Sequence, residues 1–139
     1  MQESSHYKPI PLTKGESNGV SSILNSSIFY WFYKVISNCR DFSEREIAPF
    51  PIGDLAIDRL NVVGSELGTS YKRHKEIKNR DYSGSVVYYE EYYPAKSKSI
   101  IDEIDELLAK HYGFTEEELD FIINYDIKYR MGDELNAEE

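Results

Sequence analysis

The strongest periodicity in the chain lies in SSILNSSIFYWFYKVISNCR, where Ile23, Leu24, Ile28, Trp31, Phe32, Val35 and Ile36 recur at spacings of three and four. Such spacing gathers apolar side chains on one broad helical face, so the segment predicts a long aromatic-rich helix. Asn25, Ser26 and Ser27 compete for backbone groups with their own side chains, which makes the first turns fray or start late, near Asn25. After Arg40, Pro49 and Pro51 bracket Phe50 and force extended backbone as far as Gly53. This is a rigid connector. Ser43 and Glu46 have the spacing of a capping box, but a helix opening there meets Pro49 after about one turn.

Residues 54–80 carry Leu55, Ile57, Leu60, Val63, Leu67, Tyr71 and Ile77 near helical period. They predict one second helix, with Gly64 and Gly68 weakening its middle and Gly64 as the point where it could break. The following DYSGSVVYYEEYYP is rich in β-formers and stops at Pro94, so it reads as a strand. Val86, Tyr88, Glu90 and Tyr92 alternate with Val87, Tyr89, Glu91 and Tyr93, giving two faces of identical chemistry. A slip of one residue maps this pattern onto itself, and neighbouring structure must set its register.

In the C-terminal third, Ile100, Ile101, Ile104, Leu107, Leu108 and Tyr112 form an apolar stripe with Ser99 as N-cap and Gly113 as left-handed stop. Thr115 and Glu118 form a second capping box, Phe114 and Leu119 stand where a hydrophobic staple would close, and Leu119, Ile122 and Ile123 continue a stripe. Residues 97–125 therefore predict an antiparallel helical hairpin, with Asp102, Glu103, Asp105, Glu106, Glu116 and Glu117 mostly on solvated faces. The whole predicts a helix-dominated α+β fold: the aromatic-rich helix, a second helix, the Tyr-rich strand and the hairpin. Residues 1–20 read as a partly ordered lead-in, 21–132 as a single domain and 133–139 as a disordered tail.

The 139 residues are 40% hydrophobic, 14% aromatic and 29% charged, enough apolar material for one core and too much for a disordered chain. No apolar run approaches the roughly 18 residues that a membrane span needs. A lone cysteine, Cys39, and scattered His6, His74 and His111 form neither a disulfide nor a dense metal cluster, and the first residues lack the apolar core of a signal peptide, which reads as cytoplasmic. The net charge of -9 is unevenly spread. Residues 1–80 carry eleven Lys/Arg against nine Asp/Glu, or +2, while residues 81–139 carry five against sixteen, or -11. That partition leaves the first part of the chain able to meet phosphate.

No phosphate-cradling glycine loop, paired histidines or nucleophile-and-base motif is present, so the chain carries no sign of an enzyme, a metal or a cofactor of its own. Acid pairs such as Glu90 with Glu91 or Asp102 with Asp105 are most economically solvated faces. Cys39 reads as a small semi-buried apolar residue, and His111 as a partner of a helix C-terminus. His74 sits in the basic run, where it is either a phosphate contact or an ordinary surface histidine. The run itself, YKRHKEIKNR, sets Lys72, Arg73, Lys75, Lys78 and Arg80 against the single acid Glu76. It fits a phosphate-contacting face flanked by Tyr71 and Tyr82, and equally the wet side of a helix. The tyrosines at 88, 89, 92 and 93 resemble a base-stacking platform, although Glu90 and Glu91 between them favour cross-strand packing or a protein contact.

Two stretches resemble a known family. Residues 23–52, with Leu24, Asn25 and Ser26 on an aromatic helix and Phe50, Pro51 and Ile52 in the connector, resemble a segment of restriction-modification DNA methyltransferases. Residues 92–132 resemble the extreme C-terminus of the same bacterial N6-adenine methyltransferases. The resemblance implies that the chain is a C-terminal, target-recognition-associated piece of a larger enzyme, with Met1 inside a longer reading frame. The family's Asn-Pro-Pro-aromatic and S-adenosylmethionine motifs are missing here, so methyl transfer and that cofactor belong to the parent enzyme. On this reading double-stranded DNA and the parent's catalytic domain are the partners, without a membrane. Phosphate contacts then fall to Lys72, Arg73, Lys75, Lys78 and Arg80, with Arg40 and Arg45 as a second group beside the connector, and the acidic hairpin faces away from DNA. The competing reading is a protein-docking module built on the acidic hairpin, with no direct DNA contact.

Overall fold

The computed structural model describes residues 9–13, 15–40 and 42–132, so the expected tail at 133–139 and most of the lead-in lie outside the described residues. Its helices are α1 (Ser17–Asn25), α2 (Ser27–Ile36), α3 (Glu44–Ile47), α4 (Ile57–His74), α5 (Lys98–Tyr112), α6 (Glu116–Asn124) and α7 (Ile127–Met131). Strands β1 (Glu76–Tyr82) and β2 (Ser85–Glu91) form a two-stranded antiparallel sheet. The fold is helix-dominated α+β, and Ile23, Ile28, Phe29, Leu60, Val63, Leu67, Ile101, Ile104, Leu108 and Ile122 form the heart of its core.

The expected single helix through 23–36 is two helices, and the first begins inside the expected lead-in. Ser26 makes the break. Its backbone is extended (φ -73°, ψ 155°), its hydroxyl donates to Ile23 O at 2.7 Å, and the same oxygen accepts the Phe29 N–H at 2.9 Å. One serine thus closes α1 and caps α2, which is the competition for backbone groups that makes serine a poor helix interior. The connector carries α3, one turn with its Ser43–Glu46 capping box complete. Phe50 then drops into the core between Phe29, Phe32 and Tyr112, with ring centroids 5.1–5.9 Å apart.

Helix α4 is one helix, as expected, and runs unbroken through Gly64. Gly64 serves a crossing: a Cβ there would lie 2.1 Å from Asn18 O and 2.4 Å from Ser22 Oγ. Helix α1 crosses at that point, fixed by Ser22 Oγ donating to Leu60 O at 2.8 Å and by Asn61 Oδ1 accepting the Gly19 N–H at 2.6 Å.

The predicted helix ends at His74, six residues before Arg80, because the chain turns back as a β-hairpin. The expected strand from 81 is divided, with Asp81 and Tyr82 ending β1. Ser83 (φ 52°) and Gly84 (φ 90°) form the two-residue turn, with both backbones in the left-handed half that such turns require. Asp81 Oδ1 fastens it by accepting the Gly84 N–H at 3.0 Å.

A 3-10 turn at Pro94–Ser97 leads into α5. Ser97, not Ser99, occupies the N-cap position, and it is buried with its hydroxyl 2.7 Å from Ser70 Oγ, which ties this end of α5 to the end of α4. Gly113 closes α5 at φ 72°, as its sequence position demands. The Thr115–Glu118 box opens α6 with the Glu118 N–H donating to Thr115 Oγ1 at 3.2 Å and the Thr115 N–H to Glu118 Oε2 at 2.8 Å. Thr115→Ala should therefore lower stability by about 1 kcal/mol, read as a fall in the melting temperature. Asp126, at φ 52°, separates α6 from α7, a last helix with no counterpart among the expected elements. Among the described residues no helix is long and apolar enough to cross a membrane.

Candidate nucleic-acid interface

The basic run does not form one helical face. Lys72 and Arg73 are exposed on the last turn of α4, Lys75 sits in the extended link, and Lys78 and Arg80 stand on β1. The strand pairing aligns Glu76 with Glu91, Lys78 with Tyr89, Arg80 with Val87 and Tyr82 with Ser85 on one face. The other face pairs Ile77 with Glu90, Asn79 with Tyr88 and Asp81 with Val86. Strand β1 thus distinguishes two faces that β2 alone leaves equivalent. Neither face is buried: every hairpin residue is exposed except half-buried Lys78 and Glu91.

Local acids already engage part of this charge. Lys75 Nζ pairs with Glu90, to which Tyr92 also donates from 2.5 Å, and Lys78 Nζ lies 2.9 Å from Glu76. These contacts hold both lysines above their ordinary pKa and both glutamates below theirs, hydrogen bonding across the pair being the main cause. Arg80 lies over the Tyr82 ring at 6.0 Å and donates to its hydroxyl at 3.3 Å, and Lys96 covers the Tyr93 ring at 4.9 Å. Among the described residues Lys72, Arg73, Arg40 and Arg45 make no ion pair. Exposed pairs of this kind contribute little, so Lys75 and Lys78 can exchange a glutamate for a phosphate oxygen at small cost.

Arg40 and Arg45 do not join this group. The hairpin leaves α4 where Ser70 meets Ser97, at the start of α5. The connector packs at the other end of α5, where Tyr112 touches Phe50 and its hydroxyl donates to Pro51 O at 2.5 Å. A 15-residue helix is roughly 22 Å long. The two cationic groups accordingly sit at opposite ends of the helical body.

Other expectations also change. Cys39 is exposed, with its backbone at φ 57°, and is no semi-buried apolar residue. His74 is half-buried with Nδ1 3.4 Å from Ser70 Oγ, while His111 is exposed on the last turn of α5. The largest departure is Asp105, expected on a solvated face and wholly buried. Its Oδ1 accepts the Ile28 N–H at 3.2 Å, so a carboxylate from α5 caps the start of α2 across the core. Oδ2 completes no hydrogen bond. Burial raises the Asp105 pKa to about 6, against the opposing pull of Ser27, the Ile28 N–H and Arg130. Arg130 is itself held over the Tyr30 ring at 4.9 Å and donates to Ser27 Oγ at 2.6 Å; burial lowers its pKa. The sequence does contain a signal for this cluster. Asp105 directly follows Ile104 and stands three residues before Leu108, inside the apolar stripe.

No family model, curated protein or solved structure matches the chain significantly. Residues 23–52 and 92–132 meet in the cluster of Ser27, Tyr30, Asp105, Asp126 and Arg130, where Tyr30 donates to Asp126 at 3.5 Å and Lys34 pairs with it at 3.5 Å. These ties brace α2 against α5 and α7. Among the described residues, exposed cations and rings gather at the α4 end and on the hairpin. Long flexible cations beside exposed tyrosines can hold phosphate and stack on a sugar or base.

Proposed function

We propose that the chain is a non-catalytic, DNA-recognition-associated module of a bacterial restriction-modification N6-adenine methyltransferase. It works in the cytoplasm and positions duplex DNA relative to a catalytic domain, carried elsewhere in the parent enzyme, that binds S-adenosylmethionine. The observation that carries this reading is the succession, along one stretch of chain, of exposed Lys72 and Arg73 on the last turn of α4 and of Lys78, Arg80, Tyr82 and Tyr89 on one face of the hairpin that follows it. Its contacts are to the DNA backbone, so they position without reading sequence. Arg40 and Arg45 stand apart from this surface and face the connector side of the module.

Changing Lys72, Arg73 and Arg80 together to alanine should weaken binding to all mixed-sequence duplexes alike. Non-specific affinities start from roughly 10⁻⁴ to 10⁻⁶ M, and the acidic C-terminal part places this chain at the weak end. Fluorescence anisotropy with two unrelated duplexes measures this, and a triple variant that binds as tightly as the wild type would refute the reading.

A second reading, protein docking, is favoured by different residues. Phe121 on α6 and Tyr129 on α7 are 60% and 89% exposed beside the acids of the C-terminal helices. An apolar contact there responds little to salt, whereas binding through several cations weakens steeply.

A further inference from the structure

The two strands of the hairpin differ at their outer edges. β1 is EIKNRDY, and its charges discourage further pairing, whereas β2 is SVVYYEE, with no proline, lysine or bulge and four successive apolar or aromatic residues from Val86 to Tyr89. Charged side chains, prolines and bulges are the usual protection of a sheet edge, and β2 has only its terminal glutamates. Among the described residues no third strand covers it.

The two-residue turn makes Tyr82 and Ser85 the hydrogen-bonded pair next to it, and the pattern alternates from there. The backbone N–H and C=O groups of Ser85, Val87, Tyr89 and Glu91 consequently face β1. Those of Val86, Tyr88 and Glu90 face outward.

We propose that β2 pairs antiparallel with β2 of a second copy of this chain, across a two-fold axis through Tyr88, giving a four-stranded sheet in the order β1-β2-β2-β1. This register superposes the full seven-residue strand on itself. Tyr88 meets Tyr88 of the second copy, and Val86 meets Glu90 on either side, so all three outward-facing positions find outward-facing partners. Every acid also meets a neutral residue: Glu90 lies opposite Val86, and Glu91 opposite Ser85. Moving the axis to Glu90 would oppose two carboxylates, and moving it to Val86 would shorten the overlap. The central register therefore satisfies charge, hydrogen bonding and length together. Side chains agree with it. Ile77, Val86 and Tyr88, which are 71%, 53% and 59% exposed, share one face of the hairpin, and pairing sets two such sets side by side.

The pairing does not rest on DNA binding, and its test uses the 139-residue chain without nucleic acid. Sedimentation over a broad concentration range should show a monomer–dimer equilibrium. Tyr88→Pro removes an N–H that faces outward and leaves the β1–β2 ladder intact, so it should weaken self-association by about tenfold or more while the circular dichroism spectrum is kept. Register is tested in a Cys39→Ser background. Tyr88→Cys should give a disulfide-linked dimer on mild oxidation, since directly opposed residues lie within disulfide reach, and Val86→Cys should not. Mixing Val86→Cys with Glu90→Cys should restore cross-linking. A wild-type chain that stays monomeric at every concentration, a dimer indifferent to Tyr88→Pro, or cross-linking equally efficient from positions 86 and 88 would overturn the proposal.

Discussion

Gly64→Ala should destabilise the protein by about 3 kcal/mol, at the upper end of what one added methyl group costs in a packed interior. The added Cβ would fall 2.1 Å from a backbone carbonyl oxygen, Asn18 O, and backbone cannot rotate aside as a side chain can. Relief would need α1 to withdraw from α4, loosening the Ser22–Leu60 and Gly19–Asn61 hydrogen bonds that fix the crossing. For a chain of this length the loss corresponds to a fall of about 10 °C in melting temperature. Gly68, on the same helix, is the control. A Cβ there meets nothing within 4 Å, so Gly68→Ala should raise stability by about 0.5–1 kcal/mol through helix propensity alone. Thermal melts of the two variants should move in opposite directions. A Gly64→Ala protein as stable as the wild type would show that α1 does not cross α4 there.

Asp105→Asn should stabilise the protein at neutral pH, by up to about 3 kcal/mol, and this advantage should vanish near pH 4. The sign follows from proton linkage. The carboxyl has its ordinary value near 3.8 in the unfolded chain and about 6 in the native state, so between those values the native state holds more protons. Its contribution to stability must then fall as pH rises through that window and stay low above it, each pKa unit being worth about 1.4 kcal/mol. Asparagine keeps the oxygen that accepts the Ile28 N–H and carries no charge into the core. The amide N–H groups of asparagine would take the place of Oδ2, which has no partner, and their burial opposes the gain, which makes about 3 kcal/mol a ceiling. Asp105→Ala should instead destabilise at pH 4, where no buried charge is relieved and the Ile28 N–H is left without an acceptor. Urea unfolding of wild type and Asp105→Asn at pH 4 and pH 8 reads the effect directly, and a stability difference equal at both values would contradict it.

How much of this was legible in the sequence varied with the range of the interaction involved. The Ser43, Gly113 and Thr115 signals act within one turn of backbone, and each stands where local chemistry puts it. Ser26 was recognised as a weak helix former, but whether it frays a helix or divides one depends on what receives α2, and that is Asp105, far along the chain. Intrinsic propensity shows Gly64 only as a weak point in a helix, whereas the approach of α1 is what requires it. Strand β1 was hidden because Ile77 continues the helical spacing of Leu60, Val63 and Leu67, and Lys, Asn, Arg and Asp give little β preference; its partner strand decides its conformation. The candidate surface was legible as a list of cations but not as a shape. The turn at Lys75 splits Lys72 and Arg73 from Lys78 and Arg80, and the length of α5 removes Arg40 and Arg45 to the far end.

The central claim is that the α4 end and the hairpin hold DNA through phosphate contacts, and the salt dependence of binding tests it most directly. Anisotropy of a labelled mixed-sequence duplex, titrated with the chain across a salt series, should give an affinity that falls linearly on logarithmic axes. The slope should flatten by about one for each phosphate-contacting cation removed among Lys72, Arg73 and Arg80. An affinity that barely responds to salt, or a slope unchanged in the triple alanine variant, would contradict the account.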